Sequence, residues 1–119
     1  MWLSVGGHVE LDEDPNQAAV REVKEEVGLD VELVDMRPFK IPDERGRERI
    51  PPVGLNRHPV SGIHEHVTFI YFAKATTDKV IPEHKDDQWK WCTKEEIDDL
   101  KPIAQDIIYY AKWALDAVK

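Results

Sequence analysis

The chain has 119 residues and a formal net charge of −8, from 24 Asp and Glu against 16 Lys and Arg, with 41% hydrophobic residues. This length suits a single domain, residues 1–119, that can bury a core without disulfides or a structural metal, and the composition excludes disordered and fibrous classes. The acidic balance argues against nucleic acid or anionic membranes held by overall charge.

Cys92 is the only cysteine, so no internal disulfide can form and nothing points to an oxidising compartment. No apolar run approaches the roughly 20 residues needed to span a bilayer, and the N-terminus lacks a charged stretch followed by an apolar one. The expectation is a cytoplasmic protein without a membrane partner.

In chain order, Trp2-Leu3-Ser4-Val5 is apolar and runs into Gly6-Gly7, the pattern of a strand ending in a turn. Asp14-Pro15 supplies an N-cap and a first-turn proline, and Gly28 a stop, which predicts a helix from about Pro15 to Val27. Val31 to Met36 alternates imperfectly and predicts a strand. Phe39 to Pro59 contains Pro42, Pro51, Pro52 and Pro59 and predicts a long loop with a hairpin near Arg45-Gly46. A loop of that length in so small a domain is a candidate for substrate specificity.

Val67 to Lys74 is rich in β-branched and aromatic residues and predicts a central strand, and Gln88 to Cys92, alternating Trp89 and Trp91 with polar residues, predicts a second, short one. Thr93-Lys94-Glu95-Glu96 is a capping box for a short helix. Pro102 opens a longer one, with Ile103, Ile107, Ala111, Ala114 and Val118 at helical spacing. Strands between helices of this kind predict an α/β protein with a sheet covered on both faces.

Within the first predicted helix, residues three and four apart share a face, so Glu22, Glu25 and Glu26 project from one side, while Ala19, Val23 and Val27 form a stripe that can pack on the sheet. Like charges at this spacing repel, and a hard divalent cation offsets the repulsion. Mg²⁺ takes oxygen ligands from a few carboxylates and commonly completes its shell with phosphate oxygens, and Mn²⁺ suits the same ligands. Spacing alone equally fits a solvated acidic helix face.

The full string from Gly7 through Glu13 to Arg21-Glu22-Val23-Lys24-Glu25-Glu26-Val27-Gly28-Leu29 resembles the Nudix box, GX5EX7REUXEEXGU with U aliphatic, at every specified position. The resemblance implies a Nudix-like α/β/α sandwich with a mixed sheet. It also implies an enzyme that cleaves the diphosphate linkage of a nucleoside diphosphate derivative: a nucleotide, a nucleotide-sugar or an ADP-ribose type compound. Glu22, Glu25 and Glu26 would then be metal ligands, with one carboxylate accepting a proton. Arg21 would orient a box glutamate, and Glu13 would pair with Arg21 or hold metal through water. Gly7 and Gly28 would shape turns, Gly7 also letting its backbone approach the metal, and Glu10 would be a second-tier ligand.

Asp87, with Glu83 as competitor, lies where the family often supplies a further acidic group from a loop. Two departures stand out: Val5 replaces a common proline, and the strands that ordinarily precede Trp2 are missing, which implies either a truncated start or completion by a partner subunit, the incomplete sheet edge favouring self-association as a homodimer. His64 and His66 share a strand face at a spacing compatible with a zinc pair, which His84 and Cys92 could complete, but nothing in the sequence brings those two together, and strand-edge histidines that pack or contact substrate phosphate are the favoured reading. Arg45, Arg47, Arg49 and Arg57 could hold phosphates, or decorate a charged surface loop. The competing function is a non-catalytic nucleotide-binding module of the same fold, which the intact set of box glutamates disfavours.

Overall fold

The computed structural model describes residues 1–118. Its elements, numbered in chain order, are α1 (Pro15–Val27), β1 (Val31–Leu33), β2 (Gly54–Ser61), β3 (His64–Ile70), β4 (Ala73–Ala75), α2 (Lys94–Ile97) and α3 (Gln105–Ala117). The fold mixes helices with antiparallel pairs of strands. β1 pairs with β4 in the register Glu32 to Lys74, and β2 pairs with β3 in the register Asn56 to Thr68. Among the described residues the only parallel pairing is the isolated bridge from Trp2 to Ile103, which lies outside both antiparallel pairs.

α1 forms where the sequence predicts it. The Asp14 side chain accepts from the Gln17 N–H while the Gln17 side chain accepts from the Asp14 N–H, Pro15 sits in the first turn, and Gly28 closes the helix at φ 71°. The end of α1 is also tied to a distant segment. The Ile81 N–H donates to Val27 O at 2.8 Å and the Glu83 N–H to Glu26 O at 2.9 Å, filling carbonyls that a helix end leaves without partners. A Cβ on Gly28 would lie 2.8 Å from that of Ile81, so the same contact requires the glycine.

The core is small: Ala18, Leu29, Phe72 and Ile97 are its buried apolar residues. Phe72 meets Trp113 of α3 edge to face at 5.0 Å, and α3 also presses Tyr110 so closely on Gly54 that a Cβ there would collide with the phenol. α1 packs on β1, and α2 on α3.

Several predicted elements are revised. The strand predicted from Val31 to Met36 ends at Leu33. The loop predicted to run to Pro59 gives way to β2 at Gly54, and its proline is accommodated at an exposed position beside a register shift between Pro59 and Ser61. The hairpin turns at Gly62-Ile63, whereas Asp43 to Gly46 forms an isolated turn. The strand predicted over Val67 to Lys74 is divided at Tyr71-Phe72 into β3 and β4, and Gln88 to Cys92 is irregular, with Trp91 Nε1 donating to Asp78 O at 3.0 Å. α3 begins at Gln105, three residues after Pro102.

Candidate active site

The carboxylates of α1 are organised around one guanidinium. Arg21 donates from Nε and Nη2 to the two Glu13 oxygens, each at 2.9 Å, from Nη1 to Glu22 Oε1 at 2.7 Å and to Glu25 Oε2 at 3.0 Å, and from Nη2 to the His8 carbonyl at 2.8 Å. Glu10 approaches Nη1 at 3.8 Å and is otherwise exposed, while its N–H donates to Glu13 Oε1 at 2.9 Å. The box loop is therefore laced to the helix through Arg21 and Glu13. These hydrogen bonds hold the Glu13 carboxyl below its ordinary range, first through Arg21 and then through the Glu10 amide, and raise Arg21 further above neutrality.

Glu26 faces another way. Its Oε2 accepts from the Gly6 N–H at 3.2 Å. Burial pushes its carboxyl above the usual range, the Gly6 amide partly opposes this, and the charges of Glu22, Glu83 and Asp87 push it further up. Those four acids thus gather at one end of α1. The 81–83 segment brings Glu83 there by its bond to Glu26 O, and a closed turn fixes Asp87, whose Oδ2 accepts from the His84 N–H at 3.1 Å.

Gly7 lies against Glu22: a Cβ at residue 7 would sit 2.2 Å from the Glu22 carboxyl carbon. The most deeply covered position of α1 is Ala18, with Ala19, Val23 and Val27 only half-buried. The glutamate side is accordingly turned further inward than an Ala19-Val23-Val27 contact stripe predicts. Glu22 keeps 19% side-chain exposure, against 52% for Glu25.

The donor set suits a hard divalent cation. Burial first, and then the charges of neighbouring carboxylates, raise the Glu26 pKa, while Arg21 supplies positive charge to Glu22 and Glu25. Among the described residues no three His, Cys, Asp or Glu side chains already converge at metal-ligand spacing. A cation shared by the box glutamates therefore requires Glu22 and Glu25 to turn from Arg21. His66 packs edge to face on His8 at 5.3 Å and on His58 at 5.7 Å, and among the described residues it forms no zinc cluster with His64, His84 and Cys92.

This histidine file was not legible as a unit in the sequence, since His58 falls in the stretch read as loop. The period-two pair His64 and His66 was its only signal. The arginines of the long segment also separate: Arg49 Nε pairs with Asp14 Oδ2 at 2.9 Å, Arg57 forms an ion pair with Glu65, and Arg47 donates its backbone N–H to Asp43 Oδ1 at 2.7 Å.

A carboxylate helix behind a glycine loop, packed on β1, defines a class that comparison with known proteins identifies. The Nudix-domain family model matches residues 1–114, and the chain belongs to that family. A Nudix-family hydrolase from Clostridium perfringens superposes with a TM-score of 0.84 at 33% identity, covering 98% of this chain and 81% of that one. An RNA pyrophosphohydrolase of Hahella chejuensis (strain KCTC 2396) is 31% identical over 98 residues, covering 76% of this chain. The chain spans 58% of the length of that relative. Nudix enzymes generally use divalent metal ions, and no helix among the described residues is long and apolar enough to cross a membrane.

Proposed function

We propose that this protein is a Mg²⁺-dependent hydrolase of a diphosphate linkage in a nucleoside diphosphate derivative, with Mn²⁺ able to replace Mg²⁺. The observation that carries the reading is the intact box helix behind its glycine loop, with Glu26 Oε2 accepting from the Gly6 N–H, the Glu22 carboxyl lying against Gly7 and Glu83 tied by its N–H to the Glu26 carbonyl. Glu22, Glu25 and Glu26 are assigned as metal ligands, with Asp87 and Glu83 as further acids on the adjoining turn. Bound metal would polarise the diphosphate and lower the pKa of water.

The protein's own residues do the rest. Arg21 and Glu13 position the glutamates and hold the box loop through the His8 carbonyl. Gly7 leaves room for the Glu22 carboxylate, and a carboxylate of the cluster takes the proton of the attacking water. The relative's name adds RNA to the nucleotides, nucleotide-sugars and ADP-ribose that merit assay, and the acidic net charge argues only against RNA held by overall charge.

Phosphate and nucleotide release from this panel tests the proposal. Turnover should require Mg²⁺, stop in EDTA and fall steeply in Glu25→Gln and Glu26→Gln. Turnover that persisted in EDTA and in both variants would overturn it.

Self-association as a homodimer belongs to the same reading. The outer face of the β2–β3 hairpin exposes Leu55, Val67 and Phe69, at 62%, 59% and 42% exposure. Sedimentation velocity should give a dimer that Phe69→Lys converts to monomer, and a wild-type monomer at all concentrations would remove the idea.

A further inference from the structure

The β2–β3 hairpin is inverted in polarity. Cross-strand partners share a face, so Leu55 with Phe69 and Arg57 with Val67 form the exposed outer face, while Gly54 with Ile70, Asn56 with Thr68 and His58 with His66 form the inner one. Four of those six inward residues are polar, and Asn56, His66 and Thr68 are half-buried. Ordinary sheet packing would turn the apolar set inward. A polar face against the interior is instead what a cleft for a polar ligand requires.

The inner face is continuous with the box. His66 stands between His58 and His8, with ring centroids 5.7 and 5.3 Å away, and His8 follows Gly7, the residue in contact with Glu22. Arg21 fixes the His8 backbone by the same guanidinium that binds Glu22 and Glu25. His58 Nδ1 lies 3.1 Å from Asn56 Oδ1, which sets the orientation of the outermost ring. Three imidazoles therefore run in file from the box loop across the two strands of the hairpin.

We propose that His8, His58 and His66 bind the phosphate chain of the substrate beyond the scissile linkage, so that the enzyme favours substrates with an additional phosphate. The assignment rests on the hydrolase reading above. Edge-to-face packing sets the edge of one ring against the face of the next, so the file presents no open platform for a nucleobase, and its ring nitrogens outside those contacts are the groups able to donate to oxyanions. The inner face carries no carboxylate to repel a phosphate, because Glu65 lies on the outer face in its ion pair with Arg57.

The test uses two independent measurements on wild type, His58→Gln and His66→Gln. Binding of inorganic triphosphate with Mg²⁺ is followed by NMR of the histidine ring protons. The expected result is a shift of the His58 and His66 signals in wild type and about a tenfold weaker Kd in each variant, the loss of one hydrogen bond to a charged group. In steady-state assays the variants should raise KM for a nucleoside triphosphate more than for the diphosphate, with kcat retained, whereas a merely structural role would lower kcat and Tm together.

Wild-type turnover with unchanged Kd and KM in both variants overturns the phosphate assignment and leaves the hydrolase reading intact. Triphosphate binding at the histidines without any turnover rejects the hydrolase reading and leaves the assignment intact. His58 is exposed, so its replacement leaves no buried cavity, and that variant carries the test if His66→Gln fails to fold.

Discussion

At the scale of single residues, Gly7 separates stability from activity. A methyl group at this position would meet the far end of the flexible Glu22 side chain rather than backbone, so the fold can accommodate it by swinging the carboxylate away. Gly7→Ala should leave Tm within a few degrees of wild type yet lower kcat about a hundredfold, since a displacement of about 1 Å at a reacting group has that effect. Enzyme assay beside thermal unfolding checks both, and equal loss of the two would reject the division. Arg21 should behave differently, because it joins Glu13, Glu22, Glu25 and His8: Arg21→Lys keeps the charge but loses the planar fork, and is expected to fall well below wild-type kcat. The box residues were legible in the sequence because their spacing is fixed by a motif. Their inward rotation was not, because one helix's periodicity cannot tell whether Ala18 or Ala19 lies deepest when the facing strand is only three residues long.

At the scale of elements, the long segment before β2 is docked rather than loose. Asn16 of α1 donates to Ile50 O and accepts from the Ile50 N–H, both at 2.8 Å, which imitates a strand pairing with one side chain, and Arg49 adds its ion pair with Asp14. Asn16→Ala should therefore cost about 1–2 kcal/mol in urea unfolding and speed amide exchange at Ile50. The base of the segment is pinned by Arg37, whose guanidinium and N–H hold the Asp35 carboxyl down at about 2. A carboxyl depressed in the folded state stabilises above its unfolded pKa and loses that contribution as pH falls through the folded value. Acid should weaken the wild type between about pH 4 and pH 2, and the unfolding midpoint of Asp35→Asn should change less across that window. The helices were readable from caps and spacing. β2 was not, since its proline mimics a loop signal, and neither was the irregular path of residues 88–92, since alternating Trp89 and Trp91 imitate a strand although both stand about half exposed.

At the scale of the whole molecule, the acid cluster links folding to metal. Glu26 has a raised pKa in the folded protein, so its protonated form is the one folding favours. Without metal, its charge therefore destabilises the fold increasingly as pH rises from the unfolded pKa to the folded one, and by a constant amount above that. A cation that binds only the folded state reverses the balance. At roughly a hundred times its Kd it adds about 2.7 kcal/mol, which for a chain of this length raises Tm by about 10 °C. Glu26→Gln removes both halves of the linkage: at neutral pH the metal-free variant should unfold at a higher temperature than metal-free wild type, and Mg²⁺ should raise its Tm far less. Calorimetry with EDTA and with Mg²⁺ reads all four states. If the variant were less stable than wild type without metal, the acids around Glu26 would be supporting the fold rather than straining it, and the case for a cation drawn from that strain would fall.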